Sequence, residues 1–221
     1  MKILITGSHG MVGSNIVEHV AVSKHEILSP TSKELNLLDP SGIDKYMSIY
    51  HPDMVIHTAG IVGGIQANMA GPVKFLVDNM QMGLNILMAS KTHEVKRFMN
   101  LSSSCMYPRD AQNPLSEDLI LKGELEPTNE GYAIAKVAST RLCEYINRED
   151  ESYLYKTVIP CNLYGKYDKF DPEHSHMIPA VIRKINDAKN NNLKSIDIWG
   201  DGLARREFMY TADFADFVYY A

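Results

Sequence analysis

Three glycines near the start of the chain constrain its fold more than any other feature. They follow a short apolar segment, Lys2–Thr6, and open a segment with apolar residues at helical spacing, Met11–Ala21. Glycines in a strand-to-helix turn allow a tight bend and a close backbone approach, and the N–H groups at the helix start attract a pyrophosphate. We therefore predict a dinucleotide site that comprises Gly7, His9, Gly10, Met11, Val12 and Gly13.

Strand-like and helix-like segments alternate along the rest of the chain, without an internal repeat. This alternation predicts βαβ units and therefore an α/β fold with a doubly wound, Rossmann-like parallel sheet. The later predicted strands are His25–Leu28, Met54–Ile56, Arg97–Leu101, Lys156–Ile159 and Ile196–Trp199. The later predicted helices begin at Pro40, cover Pro72–Ala89, Tyr132–Ile146 and Pro179–Ala188, or begin near Asp213.

The pattern becomes irregular beyond residue 161, where Gly, Asp, Pro and aromatic residues accumulate. We expect residues 1–161 to form a dinucleotide-binding domain, and residues 162–221 to form part of a small substrate-binding lobe with returning sheet elements. The sequence stops at Ala221 inside a helical pattern without a capping glycine, which suggests a fragment or a truncated protein. The lobe is therefore expected to be incomplete.

Composition and charge exclude several classes of protein. Apolar residues make up 45% of the chain and charged residues 22%, which suits a globular protein with a sizeable core. The 22 Lys and Arg against 27 Asp and Glu leave a net charge of −5, which gives no basis for binding nucleic acid or an anionic membrane. Apolar runs are too short for a membrane span or a signal sequence, and the cysteines lack metal-ligand spacing. We expect a cytoplasmic protein without a metal site.

The end of the second predicted strand bears on the choice between NAD and NADP. An acidic residue there would hold the ribose 2′-hydroxyl of NAD, but the sequence contains the segment 29–33, Ser-Pro-Thr-Ser-Lys. Lys33, Ser32 and His9 could contact a 2′-phosphate, which favours NADP(H); the alternative is a solvated turn with a surface lysine. Asp39 could accept a hydrogen bond from the adenine amine or could cap the helix that begins at Pro40.

One pair of residues on a predicted helix is suited to acid–base chemistry. Tyr132 and Lys136 are four residues apart, so a helix places both side chains on one face. An ammonium beside a phenol stabilises the phenolate and is expected to lower the pKa of the tyrosine toward neutral pH. The segment 102–104, Ser-Ser-Ser, would add a hydroxyl that hydrogen-bonds the substrate oxygen. The alternative is a solvated helix face beside a polar loop.

Longer motifs are more specific than the glycine turn. Two of them read Ser103-Ser104-Cys105-Met106-Tyr107-Pro108 and Ser175-His176-Met177-Ile178-Pro179-Ala180. Further motifs lie in the segments 5–14, 34–39, 59–65, 126–136, 162–165 and 206–208. Together they span nearly the whole chain, which resembles the extended short-chain dehydrogenases/reductases and, within them, the GDP-L-fucose synthase family.

The resemblance implies an NADP(H)-dependent enzyme that epimerises C3 and C5 of a GDP-4-keto-6-deoxy sugar and reduces C4, forming GDP-L-fucose or a related GDP-sugar. It implies a reductase triad of Ser103, Tyr132 and Lys136. It also implies that Cys105 is the epimerisation base and His176 the acid. The chemistry is consistent, because a ketone at C4 acidifies the protons on C3 and C5, which a thiolate can remove and a histidine can return.

The resemblance implies binding residues outside the catalytic set. It adds Ala59 to the cofactor site, and it implies a substrate site made of Asn162, Lys184, Trp199 and Arg206. The two cations suit a pyrophosphate, and the indole could stack on guanine or pack in the core. His9, Pro30 and Lys184 occupy positions where the family usually has arginine.

Family members are usually homodimers, which implies an interface formed by Pro72–Ala89 and Tyr132–Ile146. Met82, Leu87 and Tyr145 would be contacts, although these side chains could face the sheet instead. Cys143 and Cys161 are expected to be small buried apolar residues. No role is assigned to the remaining histidines, His19, His25, His51, His57, His93 and His174.

Two other interpretations stay open at this point. One is a GDP-keto-sugar C4 reductase that acts on a different sugar, such as a heptose or a 3,6-dideoxyhexose. The other, from a different class, is a truncated, non-catalytic module that binds a nucleotide or serves in assembly. Incorporation of deuterium from heavy water would separate an epimerase from a simple reductase, and turnover of any kind would exclude the module.

Overall fold

A five-stranded parallel sheet lies at the centre of the protein, in a computed structural model that describes residues 1–171, 175–198 and 200–221. Its strands are β1 (Lys2–Thr6), β2 (Glu26–Leu28), β3 (Met54–His57), β4 (Arg97–Leu101) and β5 (Leu154–Val158). They lie in the order β2-β1-β3-β4-β5, and every neighbouring pair is parallel. A second, two-stranded parallel sheet pairs β6 (Asn162–Tyr164) with β7 (Phe208–Tyr210).

Helices connect these strands, and all but one, Ile65–Ala70, lie at positions that the apolar periodicity predicts, with different ends. They are α1 (Met11–Glu18), α2 (Pro40–Tyr50), α3 (Ile65–Ala70), α4 (Pro72–Thr92), α5 (Glu130–Glu149), α6 (Met177–Asn190) and α7 (Thr211–Tyr220). The predicted strand at Ile196–Trp199 is wrong for its described part, since residues 196–198 form no regular structure. The sequence analysis predicted neither β6 nor its parallel partner β7.

Alternating side chains of the central strands face two separate hydrophobic layers. One layer joins Leu4, Val55 and Phe98 to α2, α4 and α5. The opposite layer joins Ile3, Ile5, Ile56 and Met99 to α1 and α7. Helices therefore cover both faces of the parallel sheet, and the predicted α/β, doubly wound class is confirmed.

The last helix packs on the first strands of the chain. Phe214, Ala215 and Val218 of α7 are 2%, 1% and 5% exposed, and they pack with Ile3 and Ile16. Residues from both ends of the sequence thus share one hydrophobic core. The division into domains at residues 161 and 162 stays a prediction.

The side chains that were predicted to contact a second subunit are partly buried within this protein. Leu87 is fully buried in the core under α4, so the prediction that it contacts a second subunit is wrong. Met82 packs against the same core, whereas Tyr145 on α5 is exposed. Apolar side chains that α4 does expose include Val73 and Val77. The periodicity did not distinguish these two faces, because α4 carries apolar residues on both.

No helix in the described part of the chain combines the length and apolar character needed to cross a membrane.

Candidate active site

The glycine turn between β1 and α1 has a geometry that excludes side chains at two positions. Gly7 has a φ of 72°, and a Cβ there would lie 2.6 Å from the backbone nitrogen of Ala59. A Cβ at Gly13 would lie 2.2 Å from the carbonyl oxygen of Gly7. Gly10 precedes α1 without a side-chain cap, and the first helical turn, which begins Met11-Val12, contains no acidic residue. The turn therefore fits the pyrophosphate of a dinucleotide.

The turn lies where ligands bind in open α/β sheets. The chain leaves β1 for β2 on one side and returns to β3 on the other, so the strand order reverses between β1 and β3. The two strand ends are joined by Thr58, whose backbone nitrogen and hydroxyl donate to the Thr6 carbonyl oxygen at 3.1 and 2.8 Å. Ala59 follows directly and packs against Gly7. The crevice at this reversal is the expected cofactor site.

The segment after β2 lies beside the glycine turn. The Ser8 hydroxyl donates to the Pro30 carbonyl oxygen at 3.3 Å, and Ser8 Oγ lies 3.0 Å from His9 Nδ1. His9 and Lys33 are exposed side chains, one on each of these two connections. Their contact with a 2′-phosphate stays a prediction.

Asp39 has the capping role that was one of its two predicted alternatives. It precedes α2, and its Oδ1 accepts a hydrogen bond from the backbone nitrogen of Ser41 at 3.1 Å. A proline at the start of α2 completes a standard helix beginning. A contact with the adenine amine is not tested by this geometry.

Lys136 lies buried at the end of β4. Its Nζ donates to the Leu101 carbonyl oxygen at 2.9 Å and lies 5.6 Å from the ring centre of Tyr132. Burial lowers the pKa of Lys136 to about 8, and the nearby Cys105 opposes this shift. An ammonium with such a pKa gains or loses a proton close to neutral pH, as an acid–base partner of a phenol requires.

Tyr132 differs from the expectation in its ionisation. Burial raises the pKa of Tyr132, and Cys105 adds to the increase. The prediction that Lys136 lowers this pKa is therefore wrong for this structure, because loss of solvent is the largest effect on the phenol. A protonated phenol is nevertheless the form that can donate a proton. Tyr132 also lines a cavity of about 220 Å³ between the start of α4 and the segment 127–131.

Ser103 and Cys105 lie in the turn that follows β4. Ser103 precedes a short 3-10 helix, Ser104–Met106, and its hydroxyl accepts a hydrogen bond from the Cys105 nitrogen at 3.5 Å. Burial raises the pKa of the Cys105 thiol, while Ser103 and Lys136 act in the opposite direction. Electrostatic interactions connect Cys105 with both Tyr132 and Lys136. The structure therefore brings these predicted catalytic residues together.

The other two cysteines, and Ser102 next to Ser103, differ from Cys105 in their surroundings. Ser102 is 4% exposed, and its hydroxyl lies 2.9 Å from Met106 Sδ. Cys143 is buried as expected, whereas Cys161 is only partly buried. Among these residues, the combination of partial exposure with a Tyr and a Lys neighbour distinguishes Cys105.

His176 lies on a different connection and is exposed. It precedes α6, and the carbonyl oxygen of its neighbour Ser175 lies 3.5 Å from the position of a Cβ on Gly64. The loop before α6 thus rests on the glycine-containing segment that follows β3. Within the described residues, no hydrogen bond joins His176 to Cys105 or Tyr132, so its catalytic role stays a prediction.

The predicted substrate residues lie after residue 161. Asn162 Nδ2 donates to the Glu207 carbonyl oxygen at 3.0 Å, which places it near Arg206 across the β6–β7 pair. Lys184 on α6 donates to the Asp197 carbonyl oxygen at 2.8 Å, and the exposed Arg206 donates to its neighbouring carbonyl oxygen at 2.7 Å. Trp199 lies outside the described residues.

A row of polar side chains, three of them buried and Thr157 partly buried, crosses the sheet beneath α5, and the sequence analysis missed it. Thr6, His57, Asn100 and Thr157 occupy matching register positions on β1, β3, β4 and β5. His57 Nδ1 lies 2.7 Å from Thr6 Oγ1, and Asn100 donates to Thr157 Oγ1 at 3.3 Å. The available signal was a polar residue at or near the carboxyl end of each strand, where binding sites form.

The His57 imidazole is held neutral in this row. Burial lowers the pKa of His57 to about 3, and the positive charge of Lys136 contributes in the same direction. Asn100 Oδ1 is buried without a hydrogen-bond partner in the described residues. Leaving the buried Asn100 oxygen unpaired costs about 1–3 kcal/mol.

We expect His57 to make folding stability depend on acid pH. In the unfolded chain its pKa returns to about 6.5, so the unfolded state takes up a proton first as the pH falls. The stability that the neutral, buried His57 contributes is fully present above about pH 6.5 and is lost as the pH falls toward about 3. Urea unfolding at several pH values gives the slope of the free energy of unfolding against pH. We expect His57→Gln to reduce this slope and the exposed control His51→Asn to leave it unchanged. Equal slopes in all three proteins would contradict the assignment.

The fold and the site together define a class of protein. A doubly wound parallel sheet, a glycine turn at its strand-order reversal and a buried Tyr–Lys pair are the parts of a dinucleotide-dependent oxidoreductase of the short-chain type. The chain belongs to the NAD dependent epimerase/dehydratase family, whose family model matches residues 3–221. The predicted superfamily resemblance and enzyme class are confirmed.

Named relatives match along almost the whole chain. It is 59% identical over 220 residues to a GDP-L-colitose synthase of Yersinia pseudotuberculosis, covering 100% of this chain and 71% of that protein. It is 50% identical over 217 residues to a GDP-L-fucose synthase of Azorhizobium caulinodans, covering 98% and 69%. The structure of a GDP-L-fucose synthetase from Naegleria fowleri bound to NADP superposes with a TM-score of 0.89 at 31% identity, covering 98% and 71%.

Proposed function

We propose that this protein is an NADP(H)-dependent epimerase–reductase that converts a GDP-4-keto-6-deoxy sugar to GDP-L-fucose or a related GDP-sugar. The observation that carries the proposal is that Cys105, Tyr132 and Lys136 lie close together at the end of β4. A thiol, a phenol and an ammonium in one site suit a ketone that is both enolised and reduced. The GDP-sugar synthases among the relatives support this substrate class.

The cofactor site follows from the turn geometry. Gly7, Gly10 and Gly13, with Met11 and Val12 at the start of α1, would hold the pyrophosphate. The cofactor-binding residues assigned beyond the turn are His9 and Lys33 for the 2′-phosphate, Asp39 for the adenine, and Ala59, Tyr132 and Lys136 toward the nicotinamide. When bound, NADPH supplies a hydride to C4 of the sugar.

Epimerisation would use the acidity that the C4 ketone confers on its neighbours. Cys105, as the thiolate, removes a proton from C5 or C3. The electron pair of that C–H bond forms a double bond to C4, and the π pair of the C4 carbonyl moves to its oxygen. Tyr132 donates a hydrogen bond to the developing enolate oxygen, with Ser103 beside it. His176 returns a proton to the opposite face of the same carbon as the ketone re-forms. No electrons are gained or lost overall.

Reduction would then use the same oxygen. As C4 receives a hydride, its C–O double bond becomes a single bond and the oxygen becomes an alkoxide. Tyr132 protonates this alkoxide, and Lys136 stabilises the phenolate that results. The Leu101 carbonyl holds the ammonium of Lys136 in place for this step.

The remaining assignments belong to the same proposal. Lys184 and Arg206 would bind the GDP pyrophosphate, Asn162 would contact the sugar, and Trp199 would stack on guanine. A homodimer through α4 and α5 is supported by the exposed Val73, Val77 and Tyr145 on these two helices. A cytoplasmic location would agree with a GDP-sugar substrate.

A second substrate is favoured by one specific observation. The GDP-L-colitose synthase of Yersinia pseudotuberculosis is 59% identical, compared with 50% for the fucose synthase of Azorhizobium caulinodans. Colitose is a 3,6-dideoxyhexose, and a C3 without a hydroxyl needs no inversion. The kcat/KM ratio for the 4-keto-6-deoxy and 4-keto-3,6-dideoxy GDP-sugars would identify the preferred substrate.

Turnover in heavy water tests the proposal. The chain is incubated with NADPH and each GDP-4-keto sugar, NADPH oxidation is followed by absorbance, and product deuterium is located by NMR. We expect one NADPH consumed per product and solvent deuterium at C5, with C3 also labelled for the 6-deoxy substrate. NADPH oxidation with unlabelled carbon would show a simple C4 reductase. Binding of NADPH without any turnover would support the non-catalytic module instead.

A further inference from the structure

A buried asparagine joins α1 to the segment 165–167, which follows β6. Asn15 is 8% exposed, and its side-chain nitrogen donates to the Met11 carbonyl oxygen at 2.8 Å and to the Lys166 carbonyl oxygen at 3.0 Å. An amide nitrogen carries two hydrogens, so these two contacts use both of them. The segment 165–167 is therefore tied to the first turn of α1, although Lys166 lies 151 residues further along the chain than Asn15.

Glu18, on the same helix, holds this segment a second time. Its carboxylate accepts hydrogen bonds from Lys166 Nζ at 3.1 and 2.8 Å and another from the Tyr167 hydroxyl. Tyr167 has a φ of 69°, which residues other than glycine rarely adopt, so the segment needs such contacts to keep its shape. The Glu18 and Lys166 side chains are roughly half exposed, and water and salt weaken exposed ion pairs. The buried Asn15 is therefore the stronger connection.

The Met11 end of this connection lies at the proposed cofactor site. The Met11 carbonyl oxygen belongs to the same peptide group as the Val12 N–H. This N–H lies in the first turn of α1, which has no side-chain cap, and it is one of the donors that the proposed function directs to the pyrophosphate. Hydrogen bonds on the two sides of one peptide group polarise and strengthen each other. A phosphate oxygen on the Val12 N–H would therefore make the Met11 carbonyl a better acceptor for Asn15.

The Lys166 end lies beside the proposed sugar site. The segment 165–167 directly follows β6, the strand that begins with Asn162. At the end of β6, the Tyr164 carbonyl oxygen accepts a hydrogen bond from Oγ1 of the buried Thr211 at 2.8 Å. The segment is thus held by α1 on one side and by the start of α7 on the other. A shift of Lys166 relative to α1 would therefore move the end of β6 as well.

We propose that Asn15 is a positioning residue that makes the binding of the cofactor and of the GDP-sugar cooperative. This role rests on the proposed function, in which the pyrophosphate lies at the start of α1 and the sugar beside β6. Asn15 acts on neither ligand directly. One of its hydrogens responds to the cofactor through the peptide group of Met11 and Val12, and the other holds Lys166. Coupling between two sites is reciprocal, so each ligand should raise the affinity for the other by the same factor.

Calorimetric titration of the whole chain measures this coupling factor without turnover. NADPH and GDP-L-fucose serve as the probes, because both are in the reduced state and no hydride can pass between them. Each ligand is titrated into the chain alone and into the chain saturated with the other ligand. We expect the dissociation constant of each ligand to fall at least about fivefold when the other is bound.

Two substitutions of Asn15 remove the connection in different ways. Asn15→Ala removes both hydrogen bonds. Asn15→Ser keeps a hydroxyl that can bond to the Met11 carbonyl within the helix, but its single hydrogen cannot also reach Lys166. In both variants the coupling factor should fall to about one, while each ligand alone binds within about threefold of the unmodified affinity. Glu18→Gln is the matched control, since it weakens only the exposed ion pair and should keep most of the coupling factor.

Several outcomes would contradict this role for Asn15. An unchanged coupling factor in Asn15→Ser would overturn it. Weaker binding of both ligands with an intact coupling factor would also overturn it, because a purely structural role predicts that result. Independent binding of the two ligands to the unmodified chain would overturn it and leave the proposed function intact. Failure of GDP-L-fucose to bind, with or without NADPH, would overturn the role and the proposed function together.

Discussion

Replacing Tyr132 with phenylalanine should lower kcat for the reduction by roughly 10³-fold, because the alkoxide at C4 loses its proton donor. Epimerisation should slow as well, since the enolate oxygen loses a hydrogen-bond donor. The ring fills the same volume, so folding should be preserved. Stopped-flow measurement of NADPH oxidation and deuterium exchange in heavy water would measure the two steps separately.

The control for this variant is Tyr50→Phe, which removes a phenolic hydroxyl from the surface of α2, away from the site. Its kcat should equal that of the unmodified protein. The dissociation constant of NADPH, measured in all three proteins, separates a loss of cofactor binding through Tyr132 from the loss of its proton donor. Reduction by Tyr132→Phe within about threefold of the unmodified rate would remove Tyr132 from the mechanism.

Replacing Cys105 with serine should stop epimerisation and leave reduction of an already epimerised ketone. A serine hydroxyl does not ionise at these pH values, so exchange at C5 should fall by roughly 10²-fold or more. In the unmodified protein, burial raises the pKa of Cys105, so exchange should accelerate as the pH rises and the thiolate fraction grows. This pH dependence should disappear in the variant, as followed by NMR in heavy water.

Cys161→Ser is the matched control, since Cys161 is also partly buried and burial raises the pKa of its thiol as well. It should exchange at the unmodified rate with the same pH dependence. Full exchange activity in Cys105→Ser would exclude the thiol as the base. Loss of both exchange and reduction would show that Cys105 holds the site together instead of removing a proton.

The central sheet could be predicted from sequence because its three middle strands, β1, β3 and β4, are largely buried on both faces. Arg97–Leu101, for example, is a short segment whose pattern differs from that of the segments on either side. The observed β4 has the predicted limits. The two-stranded sheet could not be predicted in the same way. Phe208–Tyr210 is exposed along its whole length, so its sequence carries no burial pattern to detect.

The catalytic pair was found by spacing, but its ionisation was not. Four residues on a helix place Tyr132 and Lys136 on one face, and this geometry is local. Their pKa values depend on how much solvent α4, β4 and the Cys105 turn exclude, and that arrangement joins residues far apart in sequence. The prediction that Leu87 contacts a second subunit was wrong for a related reason, because the packing partners of a helix lie outside its own sequence.

The polar row was missed because each member looks ordinary alone. His57 ends an apolar strand, and only the register of β1, β3 and β4 aligns it with Thr6 and Asn100. Register is set by the whole sheet, so a single segment cannot reveal it.

The packing of α7 on β1 has a consequence for synthesis on the ribosome. Chains fold progressively as they emerge, but Ile3 on the sheet and Ile16 on α1 lack the side chains that cover them until Phe214 and Val218 have been added. The nascent chain must therefore carry an apolar surface at least until residue 218 has been added. Such an intermediate would be a natural client for chaperones that bind exposed hydrophobic segments.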